Sequence, residues 1–406
     1  MKIVSPPWRL TAPRAKKAGE ATRKNPGPIL FTLAVAAAAA TIPAAASAST
    51  QASPVVGHVY VNDNTAGTNT IGAFNRHADG TLTPEAGSPF TAGGAGTGAG
   101  LASQGALQIS RGGRFLIAAD AGSNQISVLR IRWDGSLKLV HDGVVSSGGV
   151  LPVSVAVHDD LVYVANSGNG GSNYTGFRLG HNGRLAPIPG STVALPDGAQ
   201  PGDVLFNGTG TKLVGTRVGT SQIDSFTVGG DGRLAAAPGS PFTAQGLGPF
   251  GSEFRPTNPD QLFVSNAHNV GAGTGTISAL KDSANGTLSS IGASPFADLQ
   301  TAPCWVEITH DGQFLFTVNT GSGEISRYSI APGGALTLLG STPVGATGGV
   351  GAVDARLGPD GRILWVDESR IGAVGAFAVN GGNLTELPSS PTSLPAGAAP
   401  AGIVVN

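Results

Sequence analysis

Residues 152–191 read PVSVAV-HDD-LVYVAN-SGNGGSN-YTGFRL-GHNG-RLAPIPGS, and this stretch contains the unit from which the fold can be derived. Apolar and polar residues alternate in the first two apolar segments, as in strands that bury one face. Short stretches rich in Gly, Asn and Asp separate the segments and supply the positive φ angles that tight hairpins need. The stretch therefore predicts four short antiparallel strands.

The same pattern occurs seven times along the chain. A Gly-x-Leu step marks each copy, and successive copies are 48 to 55 residues apart. A large apolar residue precedes each of these glycines by five or six positions. Four-stranded units of about 50 residues are typical of β-propeller blades. The marking glycines are Gly80, Gly135, Gly183, Gly232, Gly286, Gly334 and Gly382.

The two ends of the repeat region complement each other. The first copy begins at His58 with HVYVNDN, which matches the second strand of a unit, and the chain ends with PAGIVVN at residues 400–406, which matches a first strand. We therefore predict an all-β, seven-bladed β-propeller over residues 58–406. Each blade has four antiparallel strands, and the C-terminal strand completes the first blade and closes the ring.

The composition argues against highly charged partners. Only 12% of residues are charged, and the formal net charge is -1. Such a chain offers no basic field for nucleic acid or for an anionic membrane. We expect a monomer that binds no nucleic acid and contacts no membrane beyond its N-terminal signal.

The N-terminus has the pattern of a secretory signal. Lys and Arg residues precede the apolar run ILFTLAVAAAAA at 29–40, and Ala46-Ser47-Ala48 fits the small-residue cleavage rule. We predict a signal peptide over 1–48 with cleavage after Ala48, a linker over 49–57 and a secreted, extracellular protein. The alternative is an uncleaved anchor, since the apolar stretch is close to the minimum length of a spanning helix.

The sequence predicts no cofactor and no structural metal. No His pair has ligand spacing, so zinc is not expected, although Asn/Asp loops leave calcium open. Cys304 is the only cysteine, and we interpret it as a buried small apolar residue, not a nucleophile.

Candidate site residues lie where first strands begin and second strands end, because these positions meet at one face of a propeller, around the channel mouth. Recurrent Asn and Asp residues there (Asp120, Asn166, Asn266, Asn319) are interpreted as loop caps. The non-repeating residues are the better candidates. Glu253, His268 and Arg217 form a candidate catalytic set of acid, imidazole and guanidinium from adjacent blades. The candidate ligand-binding residues are Asp203, Trp305, Asp367, Glu368 and Arg370.

Several stretches resemble the blades of a known family. Residues 106–131 (ALQISRGGRFLIAADAGSNQISVLRI) and 305–330 (WVEITHDGQFLFTVNTGSGEISRYSI) resemble those of seven-bladed lactonase-type propellers. That family includes propeller-type 6-phosphogluconolactonases and fungal carboxymuconate-lactonizing enzymes, and Tyr-Val-Thr-Asn repeat propellers share its blade pattern. The resemblance extends from about residue 56 to 406 and implies the same fold.

The resemblance also implies a catalytic stretch, from which this chain departs. The family form is Gly-Pro-Arg-His-x-x-Phe-His-Pro, and residues 248–256 here read GPFGSEFRP. Phe250 stands at the Arg position, Gly251 at the first His position and Arg255 at the second. An acid position of the family corresponds to Trp305, and a Pro-Arg pair is replaced around Asp354. A guanidinium that binds substrate and an imidazole that moves a proton are therefore expected to be missing.

Three functional hypotheses follow. The first is a propeller that binds a small molecule, a glycan or a surface protein at the channel mouth without turnover. The second is a lactone hydrolase or cyclase with a rebuilt pocket that uses Glu253, His268 and Arg217. The third is a structural surface module. The geometry of the channel mouth discriminates between them: convergence of the three residues favours an enzyme, and a mouth plugged by Phe250 and Trp305 disfavours it.

Overall fold

The computed structural model describes residues 53–345 and 351–406. The predicted signal peptide lies outside these residues, and the division into 1–48, 49–57 and 58–406 stays a prediction. The first strand begins at Val55, three residues before the predicted start of the propeller.

Within these described residues, thirty-three strands form seven antiparallel sheets, which confirms the predicted seven-bladed β-propeller. Blade 1 contains β1 (Val55–Asn62), β2 (Gly67–His77), β3 (Leu82–Pro84) and β4 (Phe90–Gly96). Blade 2 contains β5 (Leu107–Ile109), β6 (Phe115–Asp120), β7 (Gln125–Ile131) and β8 (Leu137–Ser146), with a 3-10 turn at Ala121–Ser123. Blade 3 contains β9 (Pro152–His158), β10 (Leu161–Asn166), β11 (Asn173–Leu179), β12 (Leu185–Pro187) and β13 (Val193–Ala194). Blade 4 contains β14 (Pro201–Phe206), β15 (Lys212–Arg217), β16 (Gln222–Val228), β17 (Leu234–Ala236) and β18 (Phe242–Thr243).

The last three blades follow the same plan. Blade 5 contains β19 (Pro249–Arg255), β20 (Asn258–Asn266), β21 (Thr276–Asp282), β22 (Leu288–Ser290) and β23 (Phe296–Ala297). Blade 6 contains β24 (Pro303–Ile308), β25 (Phe314–Asn319), β26 (Glu324–Ile330) and β27 (Leu336–Pro343). Blade 7 contains β28 (Ala352–Leu357), β29 (Ile363–Glu368), β30 (Ala373–Asn380), β31 (Asn383–Glu386) and β32 (Thr392–Ser393). The chain ends with β33 (Ile403–Val405), which returns to blade 1.

Within a blade the strands are ordered from the channel outwards. In five blades two short strands share the outermost position, as β12 and β13 do by both pairing with β11. The fourth strand of the predicted unit is therefore often split into two pieces.

The ring closes as the sequence predicts. β33 pairs antiparallel with β1, with Val59 opposite Val405 and Val61 opposite Ile403. The Asn406 side chain accepts a hydrogen bond of 2.8 Å from the His58 amide. Each innermost strand also contacts the innermost strand of the next blade, from β5 around the ring to β33. These pairings need nothing that precedes Val55.

Adjacent blades bury their faces against one another. One core cluster contains Val59 and Phe74 of blade 1 together with Trp365 of blade 7, so the closure seam is packed like the other seams. The chain has no disulfide. Burial of large side chains between adjacent blades therefore supplies most of its stabilisation.

The Gly-x-Leu glycines also serve these seams. Gly135 has φ of +84°, a conformation that other residues rarely adopt, and its carbonyl accepts a 2.9 Å hydrogen bond from the Tyr60 hydroxyl of the preceding blade. The Gly232 carbonyl likewise accepts a 2.8 Å hydrogen bond from the Tyr163 hydroxyl of the preceding blade. The repeat therefore marks both a turn and a contact between blades.

Candidate functional site at the channel mouth

A cavity of about 430 Å³ opens at the channel mouth. Loops that precede the innermost strands and loops that follow the second strands both line it, which is the arrangement inferred from the repeat. Its walls are mainly apolar, and the lining residues include Leu101, Phe250, His268, Cys304, Trp305 and Asp354.

Two aromatic residues close the bottom of this cavity. Phe250 meets Trp305 edge to face with ring centroids 5.3 Å apart, and both side chains are buried. The Trp305 indole donates a 2.7 Å hydrogen bond to the carbonyl of Ser103. Trp305 lies in blade 6 and Ser103 precedes blade 2, so the indole spans the channel. Phe250 and Trp305 therefore plug it.

Gln104 forms a second bridge at the same depth. Its amide nitrogen donates to the carbonyl of Ser252 at 3.0 Å, and its oxygen accepts from the amide of Val306 at 3.0 Å. A Cβ atom on Gly251 would lie 2.1 Å from the Gln104 oxygen and 2.5 Å from the carbonyl of Cys304. Position 251 consequently has no room for a side chain while Gln104 holds this place.

Near these bridges, two buried acids accept hydrogen bonds from other parts of the channel wall. Asp203 accepts hydrogen bonds from the Ser252 amide at 3.0 Å and the Ser252 hydroxyl at 2.6 Å. Asp354 accepts one from the Gly105 amide at 3.2 Å. Burial raises the pKa of Asp203 to about 7 and that of Asp354 to about 6. Asp203, a predicted ligand residue, thus joins blades 4 and 5.

Glu253 lies deeper still, in a charged layer of the channel. Glu253, Glu307 and Arg356 are at one register level, opposite Phe263, Phe316 and Trp365 of their neighbouring strands. An Arg356 guanidinium nitrogen lies 3.2 Å from a Glu307 carboxylate oxygen.

The charged layer controls the protonation of Glu253. Burial and the nearby Glu307 carboxyl raise the pKa of Glu253 to about 8, and Arg356 opposes this increase. The pKa of Glu307 is also raised by burial.

Arg217 is engaged within its own blade. Its guanidinium binds both carboxylate oxygens of Asp224, with N–O distances of 2.6 and 2.5 Å. The Tyr174 hydroxyl donates to the same carboxylate at 3.0 Å, which extends the cluster to blade 3. Bidentate pairing of this kind orients both side chains.

The structure does not bring the candidate catalytic set together in the mouth cavity. Among Glu253, His268 and Arg217, only His268 lines it. His268 is exposed at the rim, and its backbone amide donates to the carbonyl of Leu247 at 3.0 Å.

The candidate ligand-binding residues also separate. Trp305 lines the cavity, whereas Asp367 and Glu368 are buried within blade 7 and are absent from its lining. Burial raises the pKa of Glu368 to about 7. Arg370 is exposed on the adjoining loop, although its neighbour Ser369 reaches the cavity.

The recurrent Asn residues at the ends of second strands bond locally. Asn166 binds the Asn173 side chain at 2.9 Å, Asn266 binds Ser278 at 2.9 Å, and Asn319 binds Ser326 at 2.9 Å. Each bond joins the second strand to the third strand of the same blade. Their interpretation as residues that fix the loops agrees with this geometry.

Cys304 is buried in the cavity wall, and burial raises its pKa to about 11. A thiol in this state is a poor nucleophile at neutral pH.

In the described part of the chain, no group of three or more His, Cys, Asp or Glu side chains has a geometry that could hold a metal ion. Within those same residues, no helix has the length and apolar character needed to span a membrane.

Sequence reasoning missed Gln104, Glu307 and Arg356. Glu307 could have been found, because it follows Glu253 by one repeat, 54 residues later. Gln104 carries no such signal, since it lies in a Gly- and Ala-rich loop and acts through contacts across the ring.

Comparison with known proteins identifies the family. The model of the family described as "Lactonase, 7-bladed beta-propeller" matches residues 143–398, which is more than half of the chain. The chain belongs to this family. No curated protein matches its sequence.

Solved structures share the fold of this lactonase-type propeller. A Bacteroides uniformis protein provisionally assigned as a 6-phosphogluconolactonase superposes with a TM-score of 0.68 at 19% identity, covering 86% of this chain and 99% of its own. The periplasmic gluconolactonase of Pseudomonas aeruginosa gives a TM-score of 0.68 at 16% identity, covering 86% of this chain and 98% of its own. A Lactobacillus plantarum protein gives a TM-score of 0.66 at 20% identity, covering 86% of this chain and 99% of its own. Identities this low carry the fold and not the activity.

Proposed function

We propose that this lactonase-type propeller binds a small, neutral and largely apolar molecule in the mouth cavity and does not turn it over. The supporting observation is the lining: Phe250 and Trp305 form an aromatic floor, and among the described lining residues Asp354 is the only Asp, Glu, Lys or Arg. A cavity of about 430 Å³ with apolar walls and a few polar groups is of the kind that holds small ligands.

The same lining argues against an anionic substrate. A phosphate or carboxylate group needs a guanidinium, an ammonium or a set of amides. In the part of the lining that the structure describes there is no Lys or Arg side chain, and the buried Asp354 would repel an anion. We therefore include in the proposal that Phe250 and Gly251 replace the Arg and His of the family's catalytic stretch. At position 251, Gln104 occupies the space that a side chain would need.

The N-terminal segment, with its basic start, apolar run and Ala46-Ser47-Ala48, supports a proposal about where the protein acts. We propose that residues 1–48 direct export and that the mature chain acts as a monomeric extracellular protein. Its partner is then a small molecule of the surroundings and not a nucleic acid. Detection of the N-terminus of the exported protein by mass spectrometry tests this, and an N-terminus other than Ser49 would contradict the assigned cleavage.

A fluorescence titration tests the binding proposal. N-phenyl-1-naphthylamine, a neutral apolar probe, should bind the protein saturably with increased emission. Val353→Trp fills the cavity from its wall and should weaken binding at least tenfold. Leu339→Trp adds the same ring on β27, away from the cavity, and should bind as the unmodified protein does. Absence of saturable binding, or equal binding by both variants, would refute the proposal.

Lactone hydrolysis is the second candidate function. Family membership favours it, and His268 and Asp354 line one cavity. A panel of neutral lactones assayed with the protein, with His268→Ala and with Glu253→Gln, separates the two candidates. Hydrolysis that His268→Ala abolishes would establish an enzyme with a rebuilt site. Equal rates for Glu253→Gln and the unmodified protein would remove the catalytic role of Glu253.

A further inference from the structure

The two faces of the ring differ in charge. The described loops of the mouth face expose two charged side chains, Asp197 and Arg370, while Asp63 and Asp298 in the same loops are buried. The turns of the opposite face carry thirteen Asp and Arg residues, among them Arg111, Asp160 and Arg233. Soluble surfaces normally intersperse charges on all sides. The mouth face is consequently an almost uncharged surface.

Aliphatic side chains project from this uncharged face. Val270 is 86% exposed, Leu299 65%, Ile371 60% and Leu247 49%, and all four lie on mouth-face loops. Single exposed aliphatic residues are ordinary, but a cluster on an uncharged surface marks an interaction site.

Three of these residues lie on or beside one loop of blade 5. The loop 267–275 carries Val270, and hydrogen bonds join it to the segment that carries Leu247 and to the segment that carries Leu299. The amide of Leu247 donates to the Asn269 side chain at 2.8 Å, and the amide of Gly273 donates to Thr301, two residues after Leu299, at 3.0 Å. We call Leu247, Val270 and Leu299 the blade 5 tip.

The blade 5 tip and the mouth cavity are built by the same chain segments. His268 lies in the same loop as Val270, Phe250 follows Leu247 by three residues, and both line the cavity. The tip therefore lies on the segments that form one side of the cavity.

We propose, contrary to the expectation from the sequence that the chain contacts no membrane beyond its N-terminal signal, that the mouth face docks on an uncharged lipid surface and inserts the blade 5 tip among the acyl chains. Protein partners are usually held by aromatic and Arg anchors at the centre of an interface, and the tip has none. Aliphatic side chains on loop ends suit a bilayer, which needs no matching shape, and the shortage of basic residues selects zwitterionic over anionic lipid. Docking would open the cavity towards the acyl region, where apolar molecules dissolve.

Vesicle flotation tests the proposal. The protein used begins at Ser49, which retains every strand pairing of the ring and removes the apolar N-terminal run that would itself bind lipid. Cooperative thermal unfolding verifies that it is folded. With phosphatidylcholine vesicles we expect co-flotation of the unmodified protein and at least a tenfold loss for the triple variant Leu247→Ser, Val270→Ser and Leu299→Asn. Asn is chosen at 299 because φ there is +60°.

Matched variants and a second readout make each outcome decisive. Trp133→Ser and Leu339→Ser remove exposed apolar side chains outside the mouth face, and both should float as the unmodified protein does. No flotation of the unmodified protein, or equal flotation of the triple variant, would overturn the proposal. A concentration-dependent dimer that the triple variant abolishes would assign the face to a second copy and also overturn it. N-phenyl-1-naphthylamine binding should persist in the triple variant, so this test is independent of the proposed cavity function.

Discussion

The mouth cavity and the charged layer below it are lined by the same ring of innermost strands, yet they differ in chemistry. The cavity has the apolar floor of Phe250 and Trp305, whereas the layer contains Glu253, Glu307 and Arg356. The polar groups deep in the channel bind one another and join blades. The surface that a ligand can reach is apolar. Charged residues in a propeller channel are therefore not by themselves a sign of catalysis.

The largest effect should come from breaking the charged layer. Arg356→Met leaves Glu307 and Glu253 without their counter-charge, so we expect the free energy of unfolding at pH 8 to fall by about 3 kcal/mol or more. Urea denaturation measures it. The double variant Arg356→Met with Glu307→Gln should recover part of this loss. If Arg356→Met unfolds at the same urea concentration as the unmodified protein, the layer does not stabilise the ring.

A somewhat smaller effect is expected at Arg217. Arg217→Met leaves the buried Asp224 unpaired and should lower the free energy of unfolding by about 2 kcal/mol, while the affinity for N-phenyl-1-naphthylamine stays unchanged. Arg233, whose ion pair with Asp231 is half exposed, is the matched control. Arg233→Met should cost less than about 0.5 kcal/mol. A loss of probe affinity in Arg217→Met without a loss of stability would restore Arg217 as a site residue.

The third effect is a pH dependence, which is measured as a slope and not as a single loss of stability. The pKa of Glu253 rises from 4.5 to about 8 on folding, so the folded chain retains a proton that the unfolded chain releases. The free energy of unfolding should therefore fall as the pH rises from about 4.5 to about 8. Glu253→Gln should flatten the pH profile of thermal unfolding. Glu324→Gln, on β26, should leave the slope unchanged, and an unchanged slope in Glu253→Gln would contradict the assignment.

The fold could be predicted because its signals are local and repeated. Each Gly-x-Leu step fixes one turn, and the unmatched strands at the two ends define the closure. The site could be predicted only as a face. The innermost strands β14, β19, β24 and β28 all have register irregularities near their starts, such as the one between Pro249 and Ser252. A bulge changes which side chains point towards the channel, so alternation along the sequence does not give the lining.

Contacts across the ring could not be predicted from the sequence, for a different reason. The bond from Trp305 to Ser103 joins residues 202 positions apart, and Gln104 reaches blades 5 and 6 from the start of blade 2. No periodicity relates such residues. The pairing of Arg217 with Asp224 on the neighbouring strand of the same blade was likewise not predicted from the sequence.

The pairing of β33 with β1 has a consequence for biosynthesis. β33 follows every other strand in chain order, so the ring cannot close until all seven blades have been synthesised. Until then β1 presents an unpaired strand edge, which is open to proteases and to pairing with other chains. β33 is thus the last strand needed for assembly: a chain that lacks it would remain an open ring with one edge of β1 unpaired.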